Sequence, residues 1–157
     1  MQMHRAIRRI GIGAALLAAL VGAAGTGAQA AAVNPYTPQG LCGLGYTVVD
    51  QDPIRDAGTG ELLGTVYLLH NPLVQYGCTV TIKSAYVGVL TRTQVYLDPE
   101  STSAGVDDGN RRYAAGPVYG YVGSGCAIWG GLMVDASGAI HWHDRANPAI
   151  GGAVTCF

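Results

Sequence analysis

The side chains best suited to metal chemistry lie in the run His-Trp-His-Asp from His141 to Asp144. In a β-strand, residues i and i+2 point to the same side, so His141 and His143 can share a face and bind one metal ion while Trp142 faces the core. A catalytic zinc site also needs a third protein ligand and an open position, and the sequence does not place His70 or Asp144 to complete the set. We therefore favour a solvated polar face near the end of a hairpin, with no metal and no other cofactor.

Two other groups of residues have the right types for a site but the wrong spacing. The run 107–110 (Asp-Asp-Gly-Asn), with Asp98 and Glu100 nearby, offers oxygen ligands for calcium but does not match the spacing of a calcium-binding loop, so we predict an exposed turn. Ser124 lies between two glycines but lacks the Gly-x-Ser-x-Gly arrangement of a nucleophile elbow, and Ser137 lies in a turn without a paired base. We assign no catalytic residues and predict that the protein is not an enzyme.

Tyrosine is the aromatic residue that dominates this sequence, with nine copies against two tryptophans and one phenylalanine. Tyr119 and Tyr121 are predicted to lie on the same face of a strand. An apolar ring with a polar tip suits surfaces that bind sugars or proteins, so these two residues and Trp142 are our candidate ligand-binding residues. The alternative is that the rings fill a sheet core or form cross-strand pairs.

The four cysteines are Cys42, Cys78, Cys126 and Cys156. An even number of cysteines in an exported domain predicts two disulfides, for which three pairings are conceivable. We favour Cys42–Cys78 and Cys126–Cys156, which join neighbours in sequence and close loops of about 30–37 residues. A structural zinc site is disfavoured because its cysteines normally come in close pairs.

The first 30 residues have the composition of a signal peptide. Three arginines within the first nine residues precede an uncharged apolar stretch from Ile10 to Ala24, and Ala28-Gln29-Ala30 supplies the small-x-small pattern for cleavage after Ala30. The apolar core is short for a membrane span, so we predict a secreted protein with no transmembrane anchor after cleavage. Residues 31–39 then form an extended lead-in, and residues 40–157 form one secreted domain.

The charge of residues 31–157 argues against nucleic acid and anionic membrane surfaces as partners. This part of the chain has six basic and ten acidic side chains, a net charge of about −4. It contains one lysine, Lys83, and its only adjacent basic residues are Arg111 and Arg112. A protein that binds nucleic acid normally presents a basic stripe, which this sequence lacks.

Short runs of β-forming residues, separated by turn residues, follow the predicted signal peptide. The run Cys78–Lys83 alternates strictly between apolar and polar residues, as a half-buried strand does. Residues 51–61 and 98–110 are predicted to be loops from their Pro, Gly and Asp content. The other predicted strands are Tyr46–Asp50, Thr65–His70, Tyr86–Leu97, Tyr113–Val122, Cys126–Val134, Ala139–His143 and Gly152–Phe157. The fold class is therefore all-β, a small single-domain antiparallel sandwich or barrel crosslinked by two disulfides.

Several sequence blocks, taken in order, resemble the spore-associated protein A family of actinomycetes. The blocks are Gly40–Val49, Gly64–Leu68 with Asn71, Cys78–Ile82, Tyr113–Tyr119, Cys126–Gly131 with its Trp-Gly-Gly element, and Cys156. The resemblance implies a small exported protein found with spores or aerial growth, with no established activity or cofactor and no catalytic residues to carry over. The chain departs from the family at 98–112, which is longer and more polar, and at 141–143.

These observations predict a secreted, non-catalytic protein that associates with a component of the spore or cell envelope, either a polymer or a protein. The alternatives are a secreted binding module and a metallohydrolase. The binding module would be a carbohydrate binder or a protease inhibitor, and an inhibitor would present the loop predicted at 98–110. The metallohydrolase would be built on His141 and His143.

Overall fold

The computed structural model describes residues 32–157. The predicted signal peptide, its cleavage site and the first residue of the lead-in lie outside these residues. The lead-in was predicted to extend to Gln39, but it ends at Thr37, because the Thr37 side chain accepts a hydrogen bond from the Gly40 amide and caps the helix α1 (Pro38–Cys42). A proline at the first helical position suits this start, since its missing N–H needs no partner there.

Strands make up most of the described chain, and every pairing between them is antiparallel. They are β1 (Thr47–Arg55), β2 (Leu62–Asn71), β3 (Tyr76–Lys83), β4 (Thr91–Pro99), β5 (Gly105–Arg111), β6 (Ala114–Tyr121), β7 (Cys126–Val134), β8 (Ile140–Trp142) and β9 (Ala153–Cys156).

The strands form two open sheets that pack into a sandwich. Sheet A has the order β1-β2-β3-β6, and sheet B has the order β5-β4-β7-β8, with β9 pairing alongside the first half of β7. The predicted all-β sandwich is confirmed, and the barrel alternative is wrong because neither sheet closes on itself.

The main core lies between the two sheets and takes residues from both. Trp129 on β7 is its largest fully buried side chain. Sheet A contributes Ile54, Leu63, Val66, Leu68, Ala115 and Val118, and sheet B contributes Val95, Leu97, Ala127, Trp129, Met133 and Ala153.

A second, smaller core covers the outer face of sheet A. Here α1 and Tyr46 pack over Leu69, Cys78, Val80 and Ile82. The strand predicted as half-buried is therefore buried on both faces, since Thr79, Thr81 and Lys83 point between the sheets and are at most 1% exposed. The strand predicted from the alternation is confirmed, but its polar side faces the other sheet instead of water.

Residues 51–61 were predicted to form a loop, but strand β1 continues through Arg55 and only residues 56–61 turn. Two polar side chains of this part of β1, Asp52 and Arg55, form ion pairs with residues that follow β8, which suits them to a place in a sheet. Asp52 is 3% exposed and is bound by His143 and Arg145. Pro53 is tolerated because β1 is an edge strand.

Residues 98–110 were also predicted to form a loop, and most of them lie in β4 and β5. The true turn covers residues 100–104. The polar composition of β5 is that of an exposed edge strand, and its Asp107 and Asp108 form ion pairs with Arg111 and Arg92. The exposed turn predicted at 107–110 is therefore a strand.

Two disulfides join the pairs favoured from the sequence. Cys42–Cys78 fastens α1 to the centre of sheet A, and Cys126–Cys156 joins directly opposed residues of β7 and β9. No helix among residues 32–157 is long and apolar enough to cross a membrane.

Candidate functional site

Four tyrosines cluster at one end of sheet A, and we call Tyr46, Tyr76, Tyr119 and Tyr121 the tyrosine patch. Tyr119 and Tyr121 lie on β6 on the same side, as predicted, and Tyr121 stands directly opposite Tyr76 on β3. The ring centroids are 5.7 Å apart in both the Tyr76–Tyr121 pair and the Tyr46–Tyr119 pair. The patch therefore combines residues from two strands and the segment after α1.

Hydrogen bonds at the phenol oxygens hold two of these rings in place. The Tyr119 hydroxyl donates to the carbonyl oxygen of Cys42 at 2.9 Å, and the Tyr121 hydroxyl donates to the side chain of Gln75 at 2.8 Å. Burial, together with the neighbouring Tyr119 and Tyr76, raises the pKa of Tyr46. Tyr46 therefore stays uncharged at neutral pH, and the two hydrogen bonds give the patch a fixed shape.

The tyrosine patch is exposed and has apolar neighbours in the adjoining loops. Tyr76, Tyr119 and Tyr121 are 40–46% exposed. Leu73 and Val74, in the turn before Tyr76, are also exposed, as is Leu44. Exposed apolar residues thus flank the patch in sequence, and a large exposed apolar patch marks a binding site more often than scattered single residues do.

Trp142, the third candidate ligand-binding residue, does not join the tyrosine patch. It lies on β8 of sheet B and is 49% exposed, so the expectation that it faces the core is wrong. Side chains alternate between an exposed and a covered face along β8 and the residue that follows it. Trp142 is therefore exposed, and the neighbouring His143 faces inward. Trp142 and His143 line a separate pocket of about 380 Å³ with residues of the following loop.

His143 is buried within a polar network and is not placed as an open metal ligand. Its Nδ1 lies 2.6 Å from a carboxylate oxygen of Asp52, and its ring stacks on Trp129. Arg145 donates to the same carboxylate through its backbone amide at 2.7 Å and its Nε at 3.0 Å. These contacts attach the loop after β8 to β1 in the other sheet.

Asp50 extends this network to the chain terminus. Burial raises the pKa of Asp50, but hydrogen bonds from Arg145 and Thr155 outweigh burial, so the pKa lies below its ordinary value. Thr155 on β9 in turn accepts a hydrogen bond from the Trp129 indole at 2.9 Å. The network thus connects β1, β7, β9 and the 144–152 loop.

The Asp52–His143 pair has the geometry of a general base, but the group beside it is a poor nucleophile. The free ring nitrogen of His143 lies 3.5 Å from the Tyr96 hydroxyl. Burial raises the pKa of Tyr96 to about 12, and its hydroxyl donates to the carbonyl oxygen of Gly151. Its proton is therefore already engaged by a backbone acceptor, as expected for a structural contact.

His141 points toward a different set of carboxylates, so the two histidines do not share one set of ligands. Its Nε2 lies 3.0 Å from Asp135 and 4.0 Å from Asp56. Within the described residues these three form the one group of histidine and acidic side chains close enough to hold a metal ion, with ligand atoms within 4.8 Å of one another.

The remaining sequence candidates form local contacts. Both aspartates of the proposed calcium run face arginines, which already balance their charge. The Ser137 hydroxyl donates to Asp135 at 2.7 Å as part of the β7–β8 turn. His70 packs against Phe157, with ring centroids 4.8 Å apart, and is not a member of the group that Asp56, Asp135 and His141 form among the described residues.

Sequence reasoning missed Asp52, Asp56, Asp135 and Arg145 as partners of the histidines. Asp52 lies in a segment whose composition indicated a loop. Its alternation with Asp50 was the available signal that both side chains point to one side of a strand. For Asp56 the sequence holds no such signal, because its proximity to His141 depends on packing between two sheets.

A scan against models of known protein families finds no match, and no solved structure matches the chain. A search of curated proteins finds spore-associated protein A of Streptomyces coelicolor, which is 37% identical over 129 residues. The match covers 82% of this chain and 75% of that protein. Identity at this level over this length implies a shared fold, which agrees with the resemblance in the cysteine and Trp-Gly-Gly blocks. The chain belongs to the spore-associated protein A family.

Proposed function

We propose that this protein is secreted, has no catalytic role and associates with a component of the spore or cell envelope through its tyrosine patch. The observation that carries the proposal is the similarity to a protein named for its association with spores, which extends over most of the chain. Two disulfides suit an exported protein, because such bonds persist in oxidising surroundings.

The tyrosine patch supports an apolar, largely uncharged contact. Its rings are exposed but held in place, so binding would order few additional side chains. Tyrosine is among the residues that contribute most to binding when they lie in a contact surface. Contacts of this type are expected to resist salt and to yield to detergent, because salt screens charges and leaves apolar contacts intact.

The test is quantitative mass spectrometry of the chain in washed spores, vegetative cells and culture fluid of a sporulating Streptomyces host that produces it. We expect the protein on spores after a wash with about 1 M salt and its release by detergent. Replacing both Tyr76→Ser and Tyr121→Ser should lower retention roughly tenfold. Recovery almost wholly in the culture fluid would overturn the proposed association.

Tyr36→Ser is the matched control. Tyr36 is 47% exposed and pairs with Tyr113, which lies just before β6, at the opposite end of that strand from Tyr121. It therefore removes a comparable exposed ring away from the tyrosine patch, and retention should stay at the wild-type level. Equal losses in the control and the patch variant would contradict a specific role for the patch.

A carbohydrate-binding module is the second candidate, favoured by the paired exposed rings of Tyr76 and Tyr121. Its test is retention on insoluble polysaccharides, with the same patch variant and the same control. The protease-inhibitor alternative loses its main support, because the long loop it required is mostly strand.

A further inference from the structure

The β1–β2 turn of sheet A and the β7–β8 hairpin of sheet B meet at one edge of the sandwich. Asp56 comes from the first of these segments, and Asp135 and His141 come from the second. The ligand atoms of the three side chains converge within 4.8 Å of one another. Neither the tyrosine patch nor the Asp52–His143 network includes any of them.

Each carboxylate uses one oxygen to organise its own turn and directs the other toward His141. The Oδ1 atom of Asp56 accepts from the amides of Gly58 and Thr59 at 2.7 and 2.9 Å. The Oδ1 atom of Asp135 accepts from the amides of Ser137 and Ala139 at 2.8 and 2.9 Å. The second oxygens, both Oδ2, therefore face the imidazole from fixed positions.

Within residues 32–157, the imidazole is the one partner of the two Oδ2 atoms, although two carboxylates meet there. Five other aspartates of the described chain form ion pairs with arginine: Asp50, Asp52, Asp107, Asp108 and Asp144. In residues 32–157, by contrast, neither Asp56 nor Asp135 has an ion pair with arginine or lysine.

The cluster is also partly shielded from water. The His141 side chain is 9% exposed, and those of Asp135 and Asp56 are 12% and 24% exposed. Partly shielded carboxylates attract a cation more strongly than fully solvated ones do. One nitrogen and two carboxylate oxygens form a ligand set typical of a first-row divalent metal ion, whereas calcium prefers six to eight oxygens.

We propose that Asp56, Asp135 and His141 form a binding site for a divalent transition-metal ion, Zn²⁺ in the first instance, with water completing its coordination. Because the ligands come from both sheets, the ion links the β1–β2 turn to the β7–β8 hairpin. Its expected effect is to stabilise this edge of the sandwich.

The experiment is a calorimetric titration of the chelator-treated, untagged secreted protein with Zn²⁺, and separately with Mn²⁺ and Ca²⁺. We expect one equivalent of Zn²⁺ to bind, more tightly than Ca²⁺, and saturation to raise the melting temperature by about 5 °C. Asp135→Asn and His141→Gln should each weaken Zn²⁺ binding at least tenfold. Asp144→Asn, which removes an aspartate outside the cluster, should leave binding unchanged.

A spectroscopic readout keeps the test independent of variant stability. The imidazole resonances of His141 should shift on addition of Zn²⁺, and those of His70 and His143 should not. Absence of saturable Zn²⁺ binding by the wild-type protein would overturn the proposal. Binding that survives in both variants, or that shifts the resonances of a different histidine, would also overturn it.

Discussion

At the scale of single residues, Lys83 shows most clearly how burial changes the role of a side chain. It is the only lysine in the sequence and is 1% exposed. Its ammonium group donates to the carbonyl oxygen of Val89, the hydroxyl of Thr91 and the carbonyl oxygen of Arg111, at 2.7–3.1 Å. A lysine that composition alone would place on the surface therefore connects β3, β4 and β5 from inside the sandwich.

The buried position of Lys83 predicts a pH-dependent stability. Burial lowers the pKa of Lys83 from 10.5 to about 8, so between these pH values the unfolded chain holds more protons than the folded one. The free energy of unfolding should therefore rise with pH across this window, by on the order of 2 kcal/mol relative to a Lys83→Met variant. Urea unfolding of both proteins from pH 7 to pH 10 measures this, and parallel curves for the two proteins would contradict it.

At the scale of elements, the Trp-Gly-Gly run of β7 is explained by close contacts both with its own sheet and with the facing sheet. Trp129 fills the core, and the two glycines that follow lie where neighbouring side chains and backbone come too close for a Cβ atom. At Gly130 a Cβ would meet the Tyr96 hydroxyl and His143, and at Gly131 it would meet Thr81 and the Gln94 carbonyl oxygen. The two glycines are therefore required by packing, because β7 lies against β4 within sheet B and against the facing sheet A.

This packing predicts that Gly131→Ala destabilises the protein. The added Cβ would lie 2.5 Å from the Gln94 carbonyl oxygen, a backbone atom held in the β4–β7 pairing, so β7 must shift. We expect a loss of about 2–3 kcal/mol in the free energy of unfolding, typical of overpacked cores. Gly109→Ala on the edge strand β5 is the control, because its nearest neighbours are the flexible end of Arg111 and the loss should be under about 0.5 kcal/mol. Equal losses at both positions would show that strand propensity, and not close contact, is responsible.

At the scale of the whole molecule, the two disulfides occupy different environments. Cys42 and Cys78 are 3% and 0% exposed, beneath the segment that covers the outer face of sheet A. Cys126 is half-buried and Cys156 is exposed, where β9 pairs with the beginning of β7. One crosslink is therefore part of a core, and the other fastens the chain terminus at the surface.

Selective reduction should follow from this difference in access. Under native conditions a thiol reductant is expected to open Cys126–Cys156 first, since thiol–disulfide exchange requires access to a sulfur atom. Cys42–Cys78 should react only when the protein opens. Alkylation followed by mass spectrometry measures the order, and protein in denaturant, where both pairs should react at similar rates, serves as the control. Early labelling of Cys42 and Cys78 in the native protein would contradict the prediction.

The sequence alone was sufficient to predict those features that depend on residues close together in the chain. The β-forming runs predicted the all-β class, and the bounds of β7 agree with the run Cys126–Val134. The cysteine spacing favoured the observed disulfide pairs, and the ordered blocks identified the family. These features were accessible because strand propensity, alternation and short-range pairing are set by residues close together in the chain.

Only the tertiary structure decided which faces are covered and which distant side chains meet. It buried both faces of β3, made an edge strand of the polar run 105–111, and sent His141 and His143 to separate carboxylates. Asp56 and Asp135 lie far apart in the sequence, yet both Oδ2 atoms face one imidazole. Alternation along a strand shows which residues share a side. What that side contacts depends on how the two sheets pack, and this packing depends on residues from the whole chain.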